Sequence, residues 1–186
     1  SRIIVSTDNK EIAKISRNFG AEVPFLRDKY SDSNTSSSIA SLYALKQAEE
    51  FYKTKFEVTC QLMPTCPLRS ANDIRNAFDS YSKNKRDFQI SVVKFNWLNP
   101  WWALKLDSYG NTEQLFPNKL MNRSQDLPNL FCPTGAIWIA NSSLLKESKT
   151  FYGNGYKIEP LQNWFHGIDI DNFEDLKMAE TFDKSF

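Results

Sequence analysis

The stretch His166-Gly167-Ile168-Asp169-Ile170-Asp171-Asn172-Phe173-Glu174-Asp175 holds the chain's most suggestive set of side chains. In extended backbone, neighbouring side chains alternate between faces. Ile168 and Ile170 would then turn toward a core while Asp169 and Asp171 share a cleft. Two carboxylates so placed suit Mg²⁺, a hard cation that takes oxygen ligands and commonly carries substrate phosphates. A second reading competes for the same residues. Asp171 and Glu174 have the D-x-x-E spacing of a helix N-cap and capping box, ahead of the stripe Phe173, Leu176, Ala179 and Phe182. Every helix start needs such partners, so capping is the default for Asp171. It leaves Asp169 unexplained.

Other groups could act with them. Thr35, Ser36, Ser37 and Ser38 supply hydroxyls just before a helical pattern. One of them serves as its N-cap, and hydroxyls with free N–H groups at a helix start also suit a phosphate or ribose. Pro64-Thr65-Cys66-Pro67-Leu68-Arg69 is a turn stiffened by two prolines that presents Thr65 and Arg69. His166 is the only histidine. A lone histidine beside glycine is ordinarily a loop or core residue with one hydrogen bond, so it is placed near the site by its neighbours and given no catalytic role. Cys60, Cys66 and Cys132 form an odd set without zinc-like pairing, consistent with reduced thiols in the cytoplasm.

The elements that must position these groups follow from periodicity. Residues 2–7 (RIIVST) read as a buried strand. A helix capped by Asp8 follows, with Ile12, Ile15 and Phe19 on one face and Gly20 as its stop. A short strand over 21–25 completes a right-handed parallel βαβ unit. Residues 26–38 are a polar loop of the kind that binds ligands after parallel strands. The next helix has the stripe Ile39, Leu42, Tyr43, Leu45, Ala48 and Phe51. Strands are expected over 56–63, 88–95, 135–140 and 156–159, with helices over 71–81 and 142–149. Between 97 and 116 the alternation breaks into a β-hairpin around Asp107 and Asn111, with Trp101 and Trp102 on opposite faces of a strand. Residues 117–133 form a long polar connection of the functional or partner-packed type.

At 186 residues the chain suffices for one domain over 1–186 with a well-buried core. A net charge of +1 offers no bulk attraction for nucleic acid or an anionic membrane. No apolar run is long enough to cross a bilayer.

Four stretches carry a resemblance in order and spacing. They are Ile4-Val5-Ser6-Thr7-Asp8 with Ala21-Glu22-Val23-Pro24-Phe25-Leu26-Arg27; Pro64-Thr65-Cys66-Pro67-Leu68-Arg69; Gly135-Ala136-Ile137-Trp138-Ile139; and Ile168-Asp169-Ile170-Asp171 with Glu174-Asp175-Leu176. Together they resemble the acylneuraminate cytidylyltransferases, or CMP-sialic acid synthetases. The resemblance implies an α/β, Rossmann-like three-layer nucleotidyltransferase fold with a mostly parallel sheet and a projecting β-hairpin dimerisation arm. It implies transfer of CMP from CTP to an acidic nine-carbon 2-keto sugar with release of pyrophosphate, and a homodimer through residues 97–131. By match, Asp169 and Asp171 would hold Mg²⁺, and Arg27 with Thr35, Ser36, Ser37 and Ser38 would contact the nucleotide. Met63, Thr65, Arg69, Trp138 and His166 would lie about the sugar, with Lys119 and Arg123 offered to the partner's site.

The departures are informative. The family's leading βα unit, with its phosphate-cradling loop, has no counterpart in the chain; such units run to about 30 residues or more. Residues 1–186 are therefore expected to be inactive alone. Met63 stands where the family has a sugar-binding Gln, and a thioether cannot donate an amide hydrogen bond. Cys66 replaces a Ser, and Thr134 replaces the Asn of an Asn-Gly-Ala pattern. A legionaminic, pseudaminic or KDO-like sugar is the alternative substrate. A non-catalytic relative that lost the phosphate loop is the alternative class.

Overall fold

The computed structural model describes residues 2–184. The chain divides into two compact units, one of Ser1–Leu62, Phe78–Ile90 and Ile137–Lys157, the other of Met63–Ala77, Ser91–Ala136 and Ile158–Phe186. Helices are α1 (Lys10–Asn18), α2 (Ser37–Tyr52), α3 (Ala71–Lys83), α4 (Ser142–Ser148) and α5 (Phe173–Asp183). Strands β1 (Val58–Gln61), β5 (Phe131–Asn141), β2 (Phe88–Lys94) and β6 (Lys157–Pro160) form one sheet in that order, and β3 (Leu104–Leu106) pairs with β4 (Thr112–Gln114). The α/β class is as expected. Strand β5 departs from the parallel expectation on both sides. β1 runs antiparallel to it, with Val58 opposite Asn141 and Gln61 opposite Trp138. The bonds from Asn141 N–H to Asp87 O and from Phe95 N–H to Leu130 O beside β2 also run in antiparallel order. None of the described helices is long and apolar enough to cross a membrane.

The first unit is built on β-branched and aromatic strand residues. Phe88, Ile90, Trp138, Ala140, Leu145 and Phe151 form its core, with Leu42 and Leu144 packed against it. One buried charge is managed explicitly. Glu49 of α2 is buried and accepts from Lys146 Nζ at 2.7 and 2.9 Å and from Lys55 Nζ at 3.1 Å. Burial pushes its carboxyl up, but the two ammonium groups and the Phe56 N–H outweigh that and hold it below the ordinary glutamate value.

The start of the chain differs from expectation. Residues 2–7 form no strand; a single parallel bridge joins Ile4 to Glu22, and Ile3 is 76% exposed. Asn9, not Asp8, caps α1, accepting from the N–H groups of Glu11 and Ile12. Its own N–H donates to Thr7 Oγ1, which sets the cap one residue later. The stripe Ile12, Ile15 and Phe19 is exposed, and Ala13 is the buried residue of α1. A one-bridge ladder provides no apolar floor for the stripe to pack on.

In the second unit the expected hairpin is present, with Leu104 opposite Gln114 and Leu106 opposite Thr112. The tryptophans before it do not alternate across a strand. Pro100–Trp102 is a 3₁₀ turn, capped by the Asn99 side chain accepting from Trp101 N–H. Trp101 Nε1 donates to Pro128 O at 2.9 Å and Trp102 Nε1 to Asn122 O at 3.2 Å, so both indoles fasten the 117–133 connection. Helix α5 is capped by Asn172 with Asp175 completing the box, one residue beyond the expected Asp171 and Glu174. Asp171 is thereby released from capping.

Gly153 is required by close approach. A Cβ there would lie 2.3 Å from ring atoms of the buried Phe88. Gly153→Ala should lower the free energy of unfolding by about 1–3 kcal/mol, read as a reduced urea midpoint at unchanged m-value.

Candidate functional site

The site residues of the second unit sit on a turn and a segment that are tied together. Arg69 Nη1 donates to Met63 O at 2.6 Å and also to Cys66 O, while Cys66 N–H donates to Met63 O at 3.2 Å. The guanidinium thus clamps residues 63–66 from inside, which is where the structure places Arg69. The N–H of Ile170 donates to Thr65 O at 2.8 Å, drawing the Asp-bearing segment onto that turn. Gly167 permits the approach, since a Cβ there would stand 2.6 Å from Thr134 Cγ2 and 2.7 Å from Val93 Cγ1. Thr134 is buried, its hydroxyl 2.8 Å from Ser91 Oγ.

Among the described residues of the second unit three buried polar side-chain atoms lack a hydrogen-bond partner: Asp169 Oδ1, Thr65 Oγ1 and His166 Nδ1. Such orphans are rare inside proteins and call for a missing partner. The Cys66 thiol hydrogen-bonds to the Asp169 carboxylate, and burial, reinforced by that negative charge, pushes the thiol up to about 11. Asp171 is exposed. The two carboxylates therefore have different surroundings, although i, i+2 spacing had suggested equal partners. Ile168 and Ile170 are only half-buried, because the segment between the 3₁₀ turn Trp164–Gly167 and α5 is irregular chain.

The other expected residues are distributed as follows. The Met63 thioether lies over Gly135, where an added Cβ would come within 2.6 Å of its sulfur. Lys119 Nζ lies 5.8 Å from the Trp101 ring centroid, and Arg123 pairs with Asp126 at 2.8 Å. In the first unit, Arg27 Nη1 donates to Ser6 O and Oγ at 3.2 and 3.3 Å, bracing the loop that follows. Thr35 donates to Asp32 and Ser36 is the N-cap of α2. Ser37 opens the helix, and Ser38 is buried and accepts from Phe151 N–H. Ser38 is thus a core residue, an outcome set by the 3.6-residue turn rotating it away from Ser36. Trp138, expected beside a sugar, is 9% exposed and belongs to the core with Phe151 and Tyr152 at 5.7 and 5.3 Å.

Asp73 was not foreseen. It is buried, and its Oδ2 accepts from both the N–H and the hydroxyl of Ser70 at 2.7 Å, closing a capping box at the start of α3. The S-x-x-D spacing of Ser70 and Asp73 carries that signal. His166 Nδ1 stands 2.7 Å from the same oxygen.

The thiols should separate cleanly in the native protein. Cys60 is exposed, Cys132 intermediate and Cys66 buried. At pH 8 a disulfide reagent should modify Cys60 while Cys66 stays protected until denaturant is added, as peptide mapping would show.

The chain matches the Cytidylyltransferase family over residues 1–183. Among curated relatives it is 29% identical over 179 residues to the post-translational flagellin modification protein B of Campylobacter coli, covering 96% of this chain and 75% of that one. It is 30% identical over 184 residues to the CMP-N,N'-diacetyllegionaminic acid synthase of Legionella pneumophila, covering 96% and 76%. Among solved structures, a CMP:2-keto-3-deoxy-manno-octonic acid synthetase complexed with CTP superposes with a TM-score of 0.65 at 9% identity, covering 100% of this chain and 82% of the other. The fold is shared at that distance. A turn clamped by Arg69, a buried orphan carboxylate oxygen on Asp169 and a profile match along the chain agree: this protein belongs to the cytidylyltransferase family.

Proposed function

We propose that this chain transfers CMP from CTP to an acidic nine-carbon 2-keto sugar, with Asp169 and Asp171 as the carboxylates that hold a divalent cation, Mg²⁺ by preference. The observation that carries the reading is the unpartnered, buried Oδ1 of Asp169 beside the Thr65 turn. A carboxylate oxygen is a donor that hard cations favour. Among the described residues no group of three or more His, Cys, Asp or Glu side chains could hold a metal. A two-carboxylate set with phosphate oxygens and water as the remaining ligands is the pattern suited to Mg²⁺. When bound, the cation would neutralise charge on the triphosphate and polarise the reacting phosphorus.

The chain's own residues supply placement. Asp169 is held against the 64–69 turn through Ile170, while exposed Asp171 is free to meet solvent-side ligands. The sugar's anomeric hydroxyl attacks the α-phosphorus, an O–P bond forms, the bond to the leaving pyrophosphate breaks, and the hydroxyl proton is lost. Met63 in place of an amide favours a sugar carrying an apolar or acyl substituent there. That is compatible with a legionaminic or pseudaminic acid as well as with sialic acid. Residues 97–131 would form a homodimer interface: Trp97, Leu104, Leu106, Tyr109 and Met121 are exposed on this arm, Met121 at 92%. Lys119 and Arg123 would exchange their exposed contacts within the arm for contacts to the partner, since exposed ion pairs hold side chains weakly.

Asp169→Asn should lower turnover, followed as pyrophosphate release from CTP with a panel of nine-carbon keto acids, by on the order of 10²-fold or more. The far-UV spectrum should not change, because Asn172 and Asp175 cap α5. Full activity in that variant would remove the metal role from Asp169. Sedimentation of the full-length protein should give a dimer, and a monomer at working concentrations would contradict the interface.

A further inference from the structure

The reading above leaves the only histidine of the chain unused. His166 lies in the 3₁₀ turn Trp164–Gly167, three residues before Asp169. Its side chain is 12% exposed, and Nδ1 stands 2.7 Å from Oδ2 of Asp73, whose side chain is 2% exposed. The separation is that of an ion pair, yet no acceptor meets Nδ1 with hydrogen-bond geometry, so the N–H does not point along the contact. The same Oδ2 caps α3 through Ser70, the residue that follows the clamping Arg69.

The rest of the turn is fixed on other sides. Phe165 stacks on Phe182 of α5 with centroids 5.2 Å apart and planes 3° from parallel, and meets the imidazole edge-on at 4.6 Å. Gly167 has no space for a Cβ against Thr134 and Val93. With Phe165 and Gly167 both held and Ile168 N–H donating to Phe165 O, the contact of His166 with Asp73 adds a lateral restraint on the chain entering Asp169.

We infer that His166 is a positioning residue: through Asp73 it ties the chain entering Asp169 to the start of α3, and so sets where the Asp169 carboxylate stands relative to the Thr65 turn. The inference rests on the role given to Asp169 above. His166 touches no reacting atom in this scheme.

The test compares His166→Phe, which keeps a ring without a donor, with His166→Asn, whose amide nitrogen can replace Nδ1. In the full-length enzyme, His166→Phe should lower kcat roughly tenfold with KM for CTP little changed, the size seen when a ligand's supporting partner is lost. His166→Asn should recover most of that loss. Asp73→Asn combined with His166→Phe should be no slower than the slower single variant, because both remove one contact. A readout independent of turnover is available, since one histidine gives one set of imidazole NMR resonances. Asp73→Asn should move them. Wild-type kcat in His166→Phe, an Asn variant as slow as the Phe variant, or imidazole resonances unmoved by Asp73→Asn would each overturn the inference. Asp169→Asn run beside them separates the two readings. If it is inactive while His166→Phe turns over at full rate, only the positioning role falls; if it is fully active, the carboxylate role falls and the positioning role with it.

Discussion

The hydrogen bond from Ile170 N–H to Thr65 O is the constraint on which the second unit's site depends. It joins two segments about a hundred residues apart in sequence, neither of which is regular secondary structure. Irregular chain has no ladder to fix its position, so individual backbone bonds must do so. The turn end of this bond is rigid because Pro64, Pro67 and the Arg69 clamp leave residues 63–66 few alternatives. The segment end is rigid because Gly167 packs without clearance and α5 is capped on its far side by Asn172 and Asp175. A carboxylate placed by such restraints can keep an unpaired buried oxygen, which a looser segment would turn toward water.

Buried charge is handled differently in the two units. In the first, Glu49 is saturated: two lysines and a backbone N–H meet it, and its role is to bind α2 to α4. In the second, Asp73 is met by Ser70 and His166, and Asp169 by Cys66 with one oxygen left over. A fully satisfied carboxylate is structural, while one held but incompletely satisfied is suited to a ligand. Cys66 fits this picture as a neutral donor, since its thiol stays protonated to about 11.

Much of the architecture could be read from local pattern. Helices α2, α3 and α4, strands β2 and β5, and the hairpin around Asp107 and Asn111 follow hydrophobic period and turn chemistry, which are local properties. Where the pattern misled, the competing term is identifiable. Asp8 and Asp171 are sound cap residues, but Asn9 and Asn172 lie one position further on and take the role through their own side-chain bonds. Residues 2–7 have strand composition, yet composition cannot supply a neighbouring strand, and one bridge forms. Trp101 and Trp102 follow Asn99-Pro100, and a proline at the first position of a capped turn outranks the β propensity of the rings.

The family and the α/β class were legible in the order and types of residues, because those depend on motifs a few residues long. The inequality of the two aspartates was not. Spacing places them on one face, and only packing half-buries Asp169 beside Cys66, with its Oδ1 out of solvent, while Asp171 stays exposed. Nor could sequence pair His166 with Asp73 or turn Ser38 and Trp138 into core residues, since burial is decided by which distant chain arrives on a given face. Local chemistry names the groups that can act; the long-range contacts, each closing a loop of chain at an entropic cost, decide which of them are held where they can.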